Sequence, residues 1–497
     1  MQTTDFSNPI RQSYKGIIII FAFNTYNFVR RFFVLFIAFG ISLTKKKNFA
    51  NVTPTVIFIS VTGIIIILLI LAVLKYLNFK FYLSKDDFHL STGIINKDNT
   101  IISKSKIQNV YIKQNFLQQL INVVSLNIET AGDNKSEISI KALDKPTALQ
   151  LKKELFNASE PSETLVTKSE ATTVFFKVSL KRLFLEGISQ NHLKSFVVIM
   201  SFVIGLYYEF KDYFRSLKLR QRVEELGHLD DGNISNIIIV NTIIFLFAIL
   251  ISLLFSVVKT VVTNFNLEVV ENQKTIEINK GLFTKVSLSL TPSRIQNIVI
   301  KSNRLKRYFD LHTLSVKQAM VNAKQRKNFV IIALEKEQLK HLVDKLLINY
   351  TSDVEASKPK AYYKYILALK AFAIVSVINI TGLFIFGNMM WLINIALIVC
   401  SVLYVSTTYR KAYYKIDDDF ITIGSGFIDS TINILEIHKI QAINLKQTIF
   451  QKRRKITSLI VHTASKSVKI PYISQTEANL IYDFLLFKVE SQNKDWM

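Results

Sequence analysis

Hydrophobic and polar positions fall into two alternating textures along this chain. Long apolar runs without charge give way to stretches in which β-branched residues alternate with polar ones. The longest run, Ala371 to Tyr409, holds 39 residues without one Asp, Glu, Lys or Arg. At the rise of an α-helix this covers roughly 58 Å, about twice the hydrocarbon thickness of a bilayer. It predicts a hairpin of two membrane helices turning at Gly387-Asn388. Val52 to Leu74 and Ile237 to Val258 each predict one span. Phe32 to Leu43 and Ser195 to Tyr208 are shorter uncharged runs, and each is expected to pair with its longer neighbour. Gly16 to Val29 stops at Arg30-Arg31 and reads as an interfacial helix, with Tyr14, Lys15 and Tyr26 near the headgroups.

The polar stretches repeat. KIQNVYIKQNFLQQLINVVSLNIETA from Lys106, RIQNIVIKSNRLKRYFDLHTLSVKQA from Arg294 and KIQAINLKQTIFQKRRKITSLIVHTA from Lys439 align without a gap. Gln108, Gln296 and Gln441 coincide, as do Lys113, Lys301 and Lys446; in the same register so do Gly93, Gly281 and Gly426. Internal repetition on this scale decides an architecture. The repeated apolar positions are mostly β-branched and alternate, as strands do. The odd spacing from Ile107 to Val110 breaks parity and predicts a bulge. Each shared glycine follows an apolar strand and predicts a hairpin turn with positive φ. Short strands at Ile138 to Ile140, Phe329 to Ile332 and Val468 to Ile470 precede amphipathic helices at Lys145 to Phe156, Glu335 to Ile348 and Gln475 to Lys488.

The expected organisation is a membrane α-helical plus α+β protein. Residues 1–77 hold the interfacial segment and first helix pair, 78–157 the first β-rich domain and 158–176 a linker. The second helix pair occupies 177–259 and its domain 260–349. A linker over 350–361, the hairpin over 362–409 and a third domain over 410–490 complete the chain.

A β-barrel or sandwich closed by one C-terminal helix is the outline of a pleckstrin-homology (PH) domain. Asn115-Phe116-Leu117-Gln118-Gln119-Leu120 followed by Val124 to Gly132 (VSLNIETAG) resembles the bacterial PH-like membrane family, the YdbS/YdbT-like proteins once catalogued as a domain of unknown function. That family's signature is an apolar-Gln-Arg turn and a strand ending in Thr-Ala-Gly. Gln119 stands where the family has arginine, Arg307 keeps it in the second copy, and Lys452 occupies it in the third. Thr463-Ala464 repeats the strand end, whereas the second copy has Gln318-Ala319. The resemblance implies three PH-like domains separated by helix pairs. It also implies a shorter single-domain relative as a partner and a role in envelope defence, whether envelope stress or antimicrobial resistance.

Composition refines the picture. Forty-nine per cent apolar residues and a mean hydropathy of +0.27 suit a mixture of spans and soluble domains. The net charge of +25 suits an anionic bilayer surface better than nucleic acid, part of it being the Lys bias of an AT-rich genome. Cys400 alone excludes an internal disulfide and a cysteine metal cage. No metal, catalytic or phosphate-loop motif is present, so no cofactor is expected. Candidate contacts with anionic headgroups are Lys306, Arg307, Lys324, Arg326, Lys327, Lys452, Arg453, Arg454 and Lys455, against the alternative of ordinary solvated basic loops. The shared Gln and Lys positions read as structural.

These readings point to a non-enzymatic protein of the bacterial cytoplasmic membrane. Its PH-like domains would bind the membrane surface, assemble with one another, or hold another membrane protein. A transporter or lipid-handling protein is the alternative; uncharged spans and the lack of matched broken helices speak against it. Six spans with termini and domains in the cytoplasm satisfy parity. They also place Lys364, Lys370, Arg410 and Lys411 inside.

Overall fold

The computed structural model describes residues 5–44, 54–130, 137–157, 173–192, 195–202, 205, 234–272, 275–318, 329–350, 353–386 and 390–491. Helices α1 (Gly16–Thr44) and α2 (Pro54–Asn78) pack as the first pair. They lead into β1 (Lys80–Leu83), β2 (Asp87–Thr92) and β3 (Asp98–Ser103), an antiparallel meander. A second meander follows, of β4 (Ile107–Gln114), β5 (Val124–Thr130) and β6 (Glu137–Leu143), with the one-turn helix α3 (Phe116–Leu120) between its first two strands. Helix α4 (Lys145–Asn157) closes the copy. Phe81, Phe88, Val110, Leu126 and Ile140 form its core with Leu151 and Leu155 of α4. Burying a leucine of this kind contributes about 1.5–3 kcal/mol.

The second copy opens with β7 (Thr173–Lys177), α5 (Leu180–Ser189), a helical stretch over residues 195–202 and α6 (Ile234–Asn264). It continues through β8 (Glu268–Glu271), β9 (Ile276–Lys280), β10 (Lys285–Leu290), β11 (Ile295–Ser302), α7 (Arg304–Tyr308), β12 (His312–Gln318), β13 (Val330–Leu334) and α8 (Lys336–Leu346). The third runs α9 (Tyr362–Phe386), α10 (Met390–Lys411), β14 (Tyr413–Ile416), β15 (Phe420–Ser425), β16 (Ser430–Glu436), β17 (Ile440–Lys446), α11 (Ile449–Arg453), β18 (Ile456–Thr463), β19 (Ser467–Ser474) and α12 (Gln475–Ser491). Its core joins Ile421, Leu435, Leu459, Val461 and Ile470 to Ala478 and Leu485 of α12.

Local devices recur in all three copies. Pairing slips by one residue at Ile107/Asn109, Ile295/Asn297 and Ile440/Ala442, the bulge that the odd apolar spacing demands. Gly93, Gly281 and Gly426 have φ of 108°, 110° and 125°. A Cβ on any of them would lie 1.9–2.0 Å from the carbonyl oxygen three residues on, so only glycine fits the turn.

Five described helical stretches are long and apolar enough to cross a membrane: Gly16–Leu35, Thr55–Asn78, Phe245–Asn264, Tyr362–Ile380 and Ile393–Lys411. The first corrects the sequence reading. The interfacial segment and the short span after it are one continuous helix, α1. Arg30 and Arg31 end an apolar run, yet arginine is a good helix former and does not end a helix. Residues 203, 204 and 206–208 of the run from Ser195 to Tyr208, and the Gly387-Asn388 turn, lie outside the described residues.

The linker expected over 158–176 contributes a strand instead, and its residues 158–172 lie outside the described set. β7 stands at the edge of the second copy's first sheet, beside β8. The other copies do the same with single bridges: Ile10 pairs with Phe81, and Ser357 with Tyr414. The seventh strand of each copy therefore precedes the helix pair, which is inserted between it and the next strand. Ile10 and Phe81 exchange hydrogen bonds of 2.8 and 2.9 Å, Val178 N donates to Leu267 O at 2.9 Å, and Ser357 and Tyr414 exchange two of 2.9 Å. In the first and third copies two candidate spans lie between the bonded segments.

The chain divides into two compact units, cut within the second copy. In the first unit, β4–β6 continue through β10 into the second copy's leading strands, in the order β6-β5-β4-β10-β9-β8-β7. In the second unit, the second copy's closing meander continues through β16 into the third, in the order β13-β12-β11-β16-β15-β14.

Candidate interaction surface

The one-turn helices α3, α7 and α11 organise the most distinctive chemistry. Their N-caps Asn115, Asn303 and Thr448 accept from the backbone N–H of Gln118, Lys306 and Gln451, at 2.9, 2.7 and 3.4 Å. The three capped residues occupy one repeat position, and all three are buried. Each side chain turns back to a hydroxyl on the following strand: Gln118 Nε2 to Ser125 Oγ at 2.5 Å, Lys306 Nζ to Thr313 Oγ1 at 2.7 Å and Gln451 Nε2 to Ser458 Oγ at 3.2 Å. The turns end on Asn122, Asp310 and Lys455, all left-handed with φ of 55°, 48° and 51°.

Lys306 is thereby withdrawn from the solvent-facing basic set. Its Nζ also donates to Glu186 Oε1 of α5 at 2.5 Å, and the Glu186 side chain is 0% exposed. The second copy has a lysine in place of the buried glutamine and takes the counter-charge from the short helix α5. The other copies fasten their helix feet with cations. Lys141 on β6 lies 4.1 Å from the centre of the Phe23 ring in α1. Burial, and then Lys75, lowers the Lys141 pKa. Arg454 lies 4.3 Å from the Tyr362 ring at the start of α9. Tyr362, Tyr363, Tyr365 and Tyr472 gather there as an aromatic belt.

Arg307 is exposed, and Lys452, Arg453, Arg454 and Lys455 form one exposed run following the exposed pair Ile449-Phe450. Lys324, Arg326 and Lys327 lie outside the described residues. Lys113, Lys301 and Lys446 are exposed in all three copies, and Gln108 lies on β4. Gln296 is buried whereas its counterpart Gln441 is exposed, a difference explained by the junctions between copies.

Those junctions share one register. At the first, Lys113 faces Val286 and Ile112 faces Ser287. At the second, Lys301 faces Thr431 and Ile300 faces Ile432, the same repeat positions. The hairpin after the shared glycine docks beside the one-turn helix of the preceding copy. Gln119 Nε2 donates to the carbonyls of Leu282 and Phe283 at 3.0 and 3.1 Å, and the rings of Phe116 and Phe283 meet edge to face at 6.1 Å. At the second junction Asn303 Nδ2 donates to Asp429 Oδ1 at 3.2 Å. Lys152 on α4 pairs with Glu277 on β9 at 2.8 Å. Burial raises the Glu277 pKa, but Lys152 and Ser287 outweigh it and hold the carboxyl below its ordinary value.

A cavity of about 530 Å³ is lined by Pro292, Leu346, Phe420, Glu436, His438 and Lys439. Lys439 Nζ is committed there to Glu436 at 2.7 Å and to Ile295 O at 2.8 Å. Among the described residues no three His, Cys, Asp or Glu side chains gather as metal ligands. The junctions escape sequence reasoning, because the strands that meet in them lie more than a hundred residues apart and no local pattern links them.

A family model described as "Bacterial PH domain" matches three stretches, residues 32–159, 221–348 and 366–488. A protein of Bacillus subtilis (strain 168) named "UPF0699 transmembrane protein YdbT" is 22% identical over 427 residues, which is 82% of this chain and 83% of that protein.

Proposed function

The chain belongs to the bacterial PH domain family, and from that premise we propose that it is a non-enzymatic scaffold of the bacterial cytoplasmic membrane. Its three PH-like domains stand on the cytoplasmic face and act as surface-binding and assembly modules, in the setting of envelope stress or antimicrobial resistance. One observation carries this reading. Arg454 rests on Tyr362 at the foot of a membrane helix, and the exposed cations Lys452, Arg453 and Lys455 flank it beside Ile449 and Phe450. Apolar and aromatic side chains next to a basic run suit the boundary between headgroups and acyl chains. Each cation close to an anionic surface contributes about 1 kcal/mol. Arg307 adds a further exposed charge in the second copy, and Lys324, Arg326 and Lys327 are assigned the same role from sequence.

An environment-sensitive fluorophore on Phe450→Cys, in a Cys400→Ser background, tests this in full-length protein reconstituted into nanodiscs. Emission should shift to the blue with anionic lipid, revert in high salt, and lose its lipid dependence when residues 452–455 are neutralised. Equal emission in neutral and anionic lipid refutes the electrostatic reading. Sidedness follows from labelling intact cells: cysteines at Asn388 and Asp231 should react, and cysteines at Asp133 and Asn493 should not. All four positions lie outside the described residues.

A further inference from the structure

We propose that the chain's two unpaired sheet edges, β3 of the first copy and β17 of the third, pair between neighbouring molecules, so that copies of this chain join head to tail. The chain supplies the precedent. Twice, the first strand of a closing meander pairs antiparallel with the third strand of the next copy's leading meander, β4 with β10 and β11 with β16, in one register. The remaining members of these two classes are β17 and β3. Among the described residues neither has a neighbour on that edge, since β1-β2-β3 and β17-β18-β19 end as three-stranded sheets.

Burial follows the same division. β4 and β11 are largely buried, whereas in β17 only Ile440 is buried and Leu445 is exposed. In β3 the residues Asp98 to Ile101 are all exposed. Carrying the internal register over makes Ile443 face Ile101, Asn444 face Thr100, Leu445 face Asn99 and Lys446 face Asp98. An apolar pair would thus stand where Ile298 faces Ile434, and an opposite-charge pair where Lys301 faces Thr431. The hairpin completes the match. Ile95, 98% exposed, holds the position of Phe283, and Ile449, 75% exposed, holds that of Phe116. Phe116 and Phe283 are in contact at the first junction, while Ile449 and Ile95 are the same contact without its other half.

An edge meant to stay free is usually blunted by proline, a bulge or shortness. β3 has six residues and no proline. The bulge in β17 does not disqualify it, because β4 and β11 carry the same bulge and are paired. Confinement to one membrane, with the strands of each copy on one side of it, raises the effective concentration of one edge for the other. The occupant is a second copy of this chain because both halves of the repeated junction are encoded in it.

The test uses two full-length, cysteine-free chains (Cys400→Ser) with different tags, one carrying Asp98→Cys and the other Lys446→Cys, co-expressed and oxidised in isolated membranes. A chain with both Lys301→Cys and Thr431→Cys is the internal standard for this register. The expected product is a mixed-tag species of twice the chain mass, at a yield comparable to that of the standard. A chain bearing both Asp98→Cys and Lys446→Cys should give a ladder. Adding Ile101→Asp should abolish the mixed product and leave the standard intact. Links confined to one chain overturn the proposal, as do same-tag dimers, adducts with a different protein, persistence in Ile101→Asp, or no product while the standard forms. The readout does not depend on lipid composition, so its failure is distinct from failure of the surface-binding reading.

Discussion

Removing one member of the Lys306–Glu186 pair should destabilise the second copy more than removing both. The two charges are 2.5 Å apart, with side chains 9% and 0% exposed. At an effective dielectric near 20 their attraction is about 6–7 kcal/mol, set against a desolvation penalty of several kcal/mol per ion. The net value of the pair is therefore small, but an orphaned charge keeps its penalty, and breaking such a pair typically costs about 3–5 kcal/mol. Glu186→Gln should fall near 3 kcal/mol, because Lys306 keeps Thr313 at 2.7 Å and gains an amide oxygen. Lys306→Gln recreates the residue of the other two copies, but strands the Glu186 carboxylate at a similar cost. The double variant restores the pattern of Gln118 and Gln451 without a stray charge and should lie within about 1 kcal/mol of the parent. Pulse proteolysis of the full chain in detergent, scored by cleavage in the second copy, measures all four corners. Raising salt should change little, since screening acts weakly on a buried pair. Additive losses, or single variants each costing under about 1 kcal/mol, would refute the reasoning.

Gly281→Ala places a Cβ 2.0 Å from Thr284 O at φ 110°. It should cost roughly 2 kcal/mol, in line with backbone strain elsewhere, and loosen the hairpin held by Gln119, read as faster proteolysis after Lys280 or Lys285. Lys455→Asn should stabilise the third copy by about 1 kcal/mol, because lysine sits there at φ 51° where the first copy has Asn122; an unchanged melting temperature contradicts this. Glu277, held below its ordinary pKa of 4.5, contributes stability that is present above that value and lost as pH falls through the depressed one. Glu277→Gln should therefore weaken the first junction at neutral pH and flatten its acid sensitivity, followed by proteolysis between pH 3 and 7.

What was legible in the sequence was whatever local geometry forces. Gly93, Gly281 and Gly426 could be read because no side chain fits their turns, and the bulge because Ile107 and Val110 break parity. Lys306 could not, because a buried cation and a solvated one look alike beside Arg307, and its partner Glu186 lies 120 residues away. The seventh strand was hidden for a related reason: Thr173 to Lys177 pairs with β8 across a whole helix pair. No local pattern marks such a strand, and the same holds for the bridges of Ile10 and Ser357. The continuity of α1 is hidden because Arg30 and Arg31 end an apolar run without capping or breaking the helix.

Inserting each helix pair between two neighbouring strands has a mechanical consequence. The strand before the helices and the strand after them are bonded to each other, so the pair cannot shift along the membrane normal without pulling on the sheet. In the first and third copies a cation adds a second tie to the helices, Lys141 to Phe23 and Arg454 to Tyr362; in the second, Lys306 holds Glu186 of the short helix α5. Two of these ties press a charge against an aromatic face, and one buries a full ion pair. The second copy's tie is thus the one whose rupture costs most, and it belongs to the copy whose two meanders are built into the sheets of both neighbours.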